Sequence, residues 1–541
     1  MAGVHKQNHG VSMRIGKVMQ AVSGSLLAVS LMNAGHAATA QPPDVGAVAV
    51  EIHDSGLPAD WAHHAVFMEI YVRGWQDSNG DGVGDLAGVT QRLDYLKSLG
   101  VGAIWLMPIY PSADHDHGYA VTNYRNIAPE YGTLEDFDRL IRAAHQRGIA
   151  VILDYVINHS ADTHPLFEDA RAHADSPWRN WYVWSQDKPQ GWTTYGGDPW
   201  HTAPSGYYYG AFSYQMPDFN FRNPDVLAFH LNNLKFWMNR GVDGFRFDAV
   251  GALVENGPEA WENQPENHQI MASVQTLLST YGNRYMVAEA PAAPVEFSST
   301  SSAGSAFAFG LQEQIIKSIQ FGRVQAGLVD YLQKNPVSRM GTFLSNHDSF
   351  AGARLYQQFD GDEASYKAAA ATLLTLPGIP FIYYGEEIGQ SFSEPVQFED
   401  QRLRGPMSWN ADGSGFSTAR PFRPLATNAA SQNVAAETDR PDSLLNTYRT
   451  LIGMRNHSSA LSDGAFTLMS HDDDAALVFT RSDAQQQVWV AINYASAATT
   501  VNVPPGKWHA LAAPEGMAVF TPGPLAIPAH QWLVLQRQLN D

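Results

Sequence analysis

Cysteine is absent from the 541 residues of this chain, so no disulfide contributes to its stability. Positive charge is also scarce: 34 Lys and Arg stand against 54 Asp and Glu, which leaves a net charge of −20. A nucleic-acid binder presents a basic surface, so that class of partner is not expected. Beyond the N-terminal region no apolar run is long enough to span a membrane. What is present is a long chain, 44% hydrophobic, with enough apolar residues for a large core and more than one domain.

The N-terminal region differs from the rest of the chain. Three positive charges precede an apolar stretch at 18–32, no acid occurs before residue 40, and small residues follow. This pattern predicts a signal peptide over 1–40, cut after Ala37 or Ala40, and export to the periplasm or the medium. A membrane anchor is the alternative, but the apolar stretch is short and interrupted by polar residues.

After an N-terminal extension over 41–61, apolar strand-like runs alternate with helical patterns. Near-continuous apolar strands of this kind predict the α/β class, with a parallel barrel wrapped by helices. The barrel is assigned to 62–159 and 223–444, with its sixth strand placed at 306–310. The other predicted strands are 66–72, 102–110, 148–159, 244–250, 285–290, 342–347 and 380–384.

Two segments depart from this alternation. Residues 160–222, rich in Trp, Tyr, Gly and Pro, are too long for an ordinary connection and predict a small domain inserted after the third strand. That position would let the insertion overhang the mouth of the barrel. From 445 to 541, short strand-like runs separated by turns predict an all-β domain.

Three acids stand where apolar runs turn polar: Asp248, Glu289 and Asp348. The C-terminal ends of barrel strands are where such folds place catalytic groups, and paired carboxyls cleave sugar bonds. Arg246, on the same strand face as Asp248, would keep that acid ionised, whereas burial would raise the pKa of Glu289. Each acid alone could be a helix cap or half of a salt bridge, but three on distinct strands favour catalysis.

At these residues the chain resembles the α-amylase family, glycoside hydrolase family 13, from about residue 64 to the end. The resemblance implies a (β/α)8 TIM barrel, a B domain after the third strand, and a C-terminal antiparallel β-sandwich. It rests on five motifs in order: Asp154-Tyr155-Val156-Ile157-Asn158-His159, Met216-Pro217-Asp218-Phe219-Asn220, Gly244-Phe245-Arg246-Phe247-Asp248, Val287-Ala288-Glu289 and Asn346-His347-Asp348.

The resemblance also implies roles. Asp248 would attack the anomeric carbon, Glu289 would act as acid and base, and Asp348 would bind hydroxyls of the distorted sugar. The two histidines of the site are expected to be neutral imidazoles that donate to hydroxyl groups. The implied substrate contacts are Tyr119, His159, Arg246, His347 and Arg404.

An acidic, glycine-rich loop at 77–85 offers an oxygen ligand at every second position. Calcium prefers such ligands, including backbone carbonyls, and the loop resembles the single-calcium loop of the family's oligoglucosidase-like branch. The alternatives are a solvated acidic turn and an EF-hand, and Gly88 at the twelfth position argues against the EF-hand. The predicted ligands of this structural Ca²⁺ are Asp77, Asn79, Asp81, Asp85 and the carbonyl of Val83.

Two positions bear on specificity. Ala249 follows the implied nucleophile, and a small residue at this position resembles the pattern of α-1,4-specific members of the oligoglucosidase-like branch. Exo-acting α-glucosidases carry Gly-Tyr-Asp, whose Asp pairs with an arginine and closes the pocket. Here Ala120 occupies that place, Asn123 replaces a second usual Asp, and Asp114 or Asp116 is a possible substitute partner for the arginine.

The sequence therefore predicts an exported, retaining hydrolase of α-1,4 bonds in starch-like glucans or maltooligosaccharides. An exo-acting α-glucosidase or transglucosylase on maltose, sucrose or short oligosaccharides is the alternative. A non-catalytic carbohydrate-binding relative is a third reading, disfavoured because all three acids are present.

Overall fold

The computed structural model describes residues 42, 44–514 and 520–539. The predicted signal peptide lies outside these residues, so export stays a prediction. Within the described ranges, no helix combines the length and the apolar character needed to cross a membrane.

Seven parallel strands form the central sheet, and Ala306 and Phe307 close it into a ring. Ala306 bridges to Ala288 and Phe307 to Gly341, so the sixth strand is reduced to two bridging residues at the predicted place. The barrel prediction is confirmed. In chain order the strands are Phe67–Ile70, Ala103–Leu106, Ala150–Tyr155, Gly244–Phe247, Tyr285–Ala288, Gly341–Thr342 and Ile379–Tyr383.

Helices surround this ring, and their apolar faces pack against it. Leu134–His145 shows why such segments are helical: Thr133 and Asp136 form a capping box at its start, and it buries four apolar or small side chains on one face. The longer helices are Leu86–Gln91, Leu93–Leu99, Leu134–His145, Pro165–Ala172, Pro224–Asn239, Pro265–Tyr281, Leu311–Gln320, Ala326–Lys334, Glu363–Thr375 and Leu444–Asn456; the shorter ones are Trp61–His64, Val72–Trp75, Pro294–Phe297, Leu355–Gln358, Val434–Thr438 and Ser459–Asp463.

The inserted segment after the third barrel strand contains a small antiparallel sheet. Its strands are Trp184–Ser185, Trp200–Ala203 and Gly206–Tyr209. A bridge between His159 and Asp218 ties the end of the insertion to the end of the third barrel strand. The insertion is therefore anchored beside the carboxyl ends of the strands.

The C-terminal region holds a five-stranded and a two-stranded antiparallel sheet with a shared apolar core. Its strands begin at Ala465, whereas the helix Leu444–Asn456, beyond the boundary drawn at 445, packs on the barrel helix Glu363–Thr375. The strands are Ala465–Leu468, Ala476–Ser482, Gln486–Asn493, Thr499–Val503, His509–Ala512, Gly523–Ile527 and Trp532–Gln538.

Most barrel strands are shorter than the predicted runs, as with Ala150–Tyr155 within 148–159, and two strands differ more strongly from the prediction. In the C-terminal region strands are predicted at 466–470, 475–481, 487–494, 499–503, 508–511 and 531–539, and Gly523–Ile527 is missing from that prediction. It contains Pro524, a residue that a two-stranded sheet tolerates because both of its strands are edges. The seventh barrel strand was predicted over 342–347, but only Gly341 and Thr342 pair. The residues that follow leave the ladder and bring Asp348 to a cavity at the mouth of the barrel.

Candidate active site

A cavity of about 250 Å³ lies at the carboxyl ends of the barrel strands. All three predicted catalytic acids line it, as do three of the predicted substrate contacts: Tyr119, His159 and Arg404. Arg246 and His347 are buried beneath it and contact the acids from below. The full lining is His117, Tyr119, His159, Phe212, Met216, Asp248, Ala249, Glu289, Asp348, Phe350, Asp400 and Arg404.

Arg246 holds three carboxylates together. Its Nη1 donates to Asp154 Oδ1 and to Asp248 Oδ1, both at 2.8 Å, and its Nη2 lies 2.9 Å from Glu289 Oε2. The side chain is only 1% exposed, so these charges interact with little screening by water. Buried ion pairs of this kind add little net stability, so the arrangement is better explained by chemistry than by folding.

Burial dominates the protonation of the two central acids. It raises the pKa of Asp248 to about 6, against the opposing charge of Arg246. It raises the pKa of Glu289 to about 7, again against Arg246, while the charge of Asp248 acts in the same direction as burial. Arg246 thus favours the ionised form of Asp248, as the sequence suggested, but does not fully offset the effect of burial on its pKa. The acid predicted as proton donor retains its proton at the higher pH.

Ala249 contributes through its backbone. It follows Asp248 with φ 49°, in the left-handed region that alanine rarely adopts. In this conformation its N–H donates to Glu289 Oε2 at 3.0 Å. Strain of this kind persists where surrounding structure imposes it, often at active sites. The turn therefore fixes Glu289 relative to Asp248, a contact that no side-chain pattern indicates.

His347 lies between two carboxylates. Its Nδ1 is 2.5 Å from Glu69 Oε1, and its Nε2 is 3.0 Å from Asp348 Oδ2. Burial acts to lower the pKa of His347, but the two neighbouring charges raise it to about 10. The expectation of a neutral imidazole is wrong for this residue, because Glu69 supplies a second carboxylate. A charged residue within the apolar strand Phe67–Ile70 was the signal for it.

Asp348 is held ionised. Burial acts to raise its pKa, but His347 and Arg404 together keep the pKa of Asp348 well below its ordinary value. Arg404 Nη2 donates to Asp348 Oδ1 at 2.8 Å, and its Nε donates to the carbonyl of His347 at 3.0 Å. Asp348 therefore faces the cavity as a carboxylate with both oxygens oriented from behind.

With alanine at position 120, another acid must pair with Arg404, and the structure shows which acids do so. Neither candidate substitute pairs with this arginine: Asp116 pairs with Arg423 at 2.8 Å, and Asp114 accepts from backbone N–H groups of its own loop. Asp400, which the sequence reasoning missed, lies 3.6 Å from Arg404 and lines the cavity. Nothing in the local sequence distinguishes it from neighbouring surface acids.

Two further side chains complete the floor of the cavity. Tyr119 stacks on His347 with ring centroids 5.7 Å apart, and its hydroxyl donates to Asp154 Oδ2 at 2.8 Å. Burial lowers the pKa of His159 to about 3, so this histidine is neutral as expected. Its Nε2 has no partner in the described part of the chain. That atom is available for a ligand hydroxyl.

An aromatic cluster borders the cavity, and two of its three rings belong to the insertion. Phe212 lines the cavity and packs against His159 at 5.3 Å. Tyr195 stacks on Phe212 at 4.7 Å and meets Trp261 edge-on at 5.0 Å. Tyr195 is 54% exposed and Phe212 41% exposed. The aromatic-rich segment had predicted an overhang at the barrel mouth, but not that Phe212 is the ring that lines the cavity.

The predicted calcium loop is built from turns in which side-chain oxygens accept from the backbone two residues on. The side chain of Asp77 accepts from the backbone N–H of Asn79, that of Asn79 from the N–H of Asp81, and that of Asp81 from the N–H of Val83, at 2.8–3.0 Å. Within the described ranges, no three acids or histidines converge as a metal cluster. The donor set nevertheless suits calcium, because the amide of Asn79 and a backbone carbonyl complement the carboxylates as hard oxygen ligands. Calcium binding stays a prediction.

Residues 69–464 match the family described as "Alpha amylase, catalytic domain". Alpha-amylase 3 of Dictyoglomus thermophilum is 35% identical over 461 residues, which cover 83% of this chain and 88% of that protein. A trehalose synthase/amylase of Mycolicibacterium smegmatis is 33% identical over 501 residues, covering 80% of this chain and 83% of that protein. The solved structure of an alpha-amylase from H. orenii has a TM-score of 0.78 and 34% identity, and covers 88% of this chain and 99% of that one. The family match includes every residue that lines the catalytic cavity.

Proposed function

The chain belongs to the α-amylase family of glycoside hydrolases, and from this premise we propose that it cleaves α-1,4-glucosidic bonds of starch-like glucans or maltooligosaccharides with retention. One observation carries the proposal: Asp248 and Glu289 are held on the same guanidinium, at 2.8 and 2.9 Å, at the floor of one cavity. A retaining mechanism needs a nucleophile and an acid/base held close together. A product profile over time from soluble starch, maltotriose, maltose and sucrose tests it: mixed maltooligosaccharides from starch support it, and no cleavage of any α-glucan would refute it.

In the first step, the Asp248 carboxylate attacks the anomeric carbon while Glu289 gives its proton to the departing glycosidic oxygen. The positive charge that develops on the sugar ring faces the carboxylates of Asp248 and Asp348. In the second step, Glu289, now ionised, removes a proton from water. The hydroxide oxygen displaces Asp248 from the anomeric carbon and regenerates both acids.

The pKa values of the two acids predict the pH profile. Glu289 must be protonated, and its pKa of about 7 makes kcat/KM fall as the pH rises above that value. Asp248 must be ionised, and its pKa of about 6 makes kcat/KM fall as the pH drops below that value. We expect a narrow bell-shaped profile of kcat/KM between these limbs. The Glu289→Gln variant should lose the alkaline limb, and a rate that stays flat to pH 9 in the unmodified enzyme would contradict the assignment.

Ala120 and Asp400 bear on the length of the substrate. In the exo-acting enzymes that the chain resembles, an acid at the place of Ala120 pairs with the arginine, whereas here Arg404 pairs with Asp348 and Asp400. Asp400 is 42% exposed at its side chain, so this end of the cavity is bordered by a hydrated carboxylate. We infer that a glucan chain continues past the cleaved unit at this end.

The Ala120→Asp variant tests this inference. A carboxylate at 120 would compete for Arg404 and close the donor end, so the ratio of starch to maltotriose activity should fall by roughly tenfold or more. Ala120→Asn, equal in size but uncharged, is the matched control. Initial rates on both substrates give the ratio. An unchanged ratio in Ala120→Asp would show that the donor end is not set at this position.

Transfer to a sugar acceptor is the second candidate, because the Tyr195, Phe212 and Trp261 rings offer apolar faces at the entrance. An acceptor stacked there could replace water in the second step. Products longer than the starting maltotriose, in amounts that rise with substrate concentration, would favour transfer over hydrolysis.

We also propose that the loop at 77–85 binds a structural Ca²⁺. Chelation with EGTA should lower Tm by a few degrees, because a ligand at about 100 times its Kd stabilises the folded state by roughly 2.7 kcal/mol. Calorimetry with and without EGTA measures this. The Asp81→Ala variant should have a lower Tm that EGTA does not change further. Asp472→Ala, at an exposed acid elsewhere, should have the Tm and the EGTA response of the unmodified chain. An EGTA-insensitive Tm in the unmodified chain would refute the site.

A further inference from the structure

A second crevice, of about 460 Å³, lies where the helix Leu311–Gln320 meets the C-terminal domain. None of the residues that line it lines the catalytic cavity. Its polar side chains differ in chemistry and include two amides, a carboxylate, two hydroxyls and an imidazole. They are Gln320, Gln358, Asp360, Ser365, Ser496 and His530, and the phenol of Tyr494 also lines the crevice.

Phe321 stands at the rim of this crevice with 64% of its surface exposed. It follows a helix whose end is closed by the N–H of Gly322 on Ile319 and the N–H of Arg323 on Ser318. Gly322 has φ 67°, so the turn requires a glycine there, whereas it requires no aromatic at 321. Phe321 makes no ring contact with another aromatic of the described chain. A single exposed ring is ordinary on a surface, but this one borders a polar crevice.

Two residues of the crevice adopt unusual backbone conformations. Asp360 has φ 50° and His530 has φ 53°, both in the left-handed region. Asp and His tolerate that region better than most residues, and such conformations are concentrated at binding sites. His530 Nδ1 is inaccessible and has no partner in the part of the chain that the structure describes. Two lining residues of the crevice thus have backbones held away from their preferred state.

The chemistry of the lining restricts the ligand. No Lys or Arg belongs to the described lining, which argues against phosphate, carboxylate or nucleic acid. One carboxylate alone does not suit a divalent cation, which takes several oxygen ligands. A neutral polyhydroxylated ligand fits, because the ring of Phe321 can cover the apolar face of a sugar while carboxylate, hydroxyl and imidazole groups bind its hydroxyls.

We propose that this crevice is a second, non-catalytic binding site for an α-glucan chain, with Phe321 as its stacking platform and Asp360, Ser496 and His530 as its hydroxyl partners. The identity of the ligand rests on the function proposed above. The site would hold a long substrate on the enzyme between cleavages, and it would not contribute to the turnover of short substrates.

Native gel electrophoresis through soluble starch tests the proposal with the intact chain. Phe321→Ala and Phe321→Leu should bind starch roughly tenfold more weakly, since each removes the flat ring, whereas Phe321→Tyr should be retarded like the unmodified enzyme. Leu511→Ala, at another exposed apolar residue, is the control for surface effects. Cleavage of maltotriose should be unchanged in all four variants.

Equal retardation of Phe321→Ala and the unmodified enzyme would overturn the second site, whatever the catalytic activity. Loss of maltotriose cleavage in Phe321→Ala would also overturn it, because the ring would then act on the catalytic cavity. If the unmodified enzyme cleaves no α-glucan but its retardation still depends on Phe321, the proposed catalytic function falls while the binding site stands.

Discussion

Asp248→Asn is expected to reduce kcat on maltooligosaccharides by roughly 10⁴- to 10⁶-fold, the scale seen when a covalent nucleophile is removed. The amide has the size of the carboxylate but cannot attack the anomeric carbon. Arg246 would keep two of its three buried carboxylate partners, Asp154 and Glu289, so the fold should survive. Steady-state rates together with a melting curve measure both effects.

A trapped intermediate provides the control for this result. In the unmodified enzyme, a fluorinated glucosyl donor that reacts but turns over slowly should add one sugar mass to the peptide that contains Asp248. The Asp248→Asn variant should show no such adduct. A variant that melts normally and retains more than a tenth of the activity would remove Asp248 from the role of nucleophile.

Glu289→Gln should lose roughly 10²- to 10⁴-fold on glucans, the contribution of a positioned general acid and base. The loss should depend on the leaving group, because an activated aryl α-glucoside departs without a proton. The variant should therefore form the glycosyl-enzyme from the aryl substrate and stall, since no base activates water. The N–H of Ala249 can still reach the amide oxygen at this position, so the local geometry should persist.

Azide separates this role from a general loss of structure. Azide needs no base, and it should attack the stalled intermediate, restore turnover and yield the α-glucosyl azide. Asp248→Asn is the matched control. Because this variant forms no covalent intermediate, it cannot yield the α-glucosyl azide by the same route. Failure of azide to accelerate Glu289→Gln would argue against its role as acid and base.

The sequence predicted the barrel because its strands are apolar throughout and alternate with helical patterns, and that prediction is confirmed. It also identified Asp248, Glu289 and Asp348 as candidate catalytic residues, since an acid at the end of an apolar run is conspicuous. The structure places all three around one cavity. The spacing of Arg246 from Asp248 predicted their contact but not that the same cation also binds Asp154 and Glu289.

What escaped prediction depends on contacts between distant segments. The protonation of His347 follows from Glu69, a residue far away in sequence that only the closed barrel brings within 2.5 Å. Asp400 is recognised as a site residue only by its contact with Arg404, because its own sequence context resembles any acidic turn. The strand Gly523–Ile527 was hidden by a proline that edge pairing tolerates. Local patterns identify residue types at strand ends, whereas partners across the fold decide their charge.

Retention of configuration is the central claim, and the anomer of the first product tests it most directly. Proton NMR of maltoheptaose digestion, recorded before the products equilibrate, distinguishes the two anomers of the new reducing end. Two displacements at one carbon, first by Asp248 and then by water, should give the α-anomer. A β-anomer in the first spectra would mean a single displacement by water, and would contradict the role of Asp248 as a covalent nucleophile.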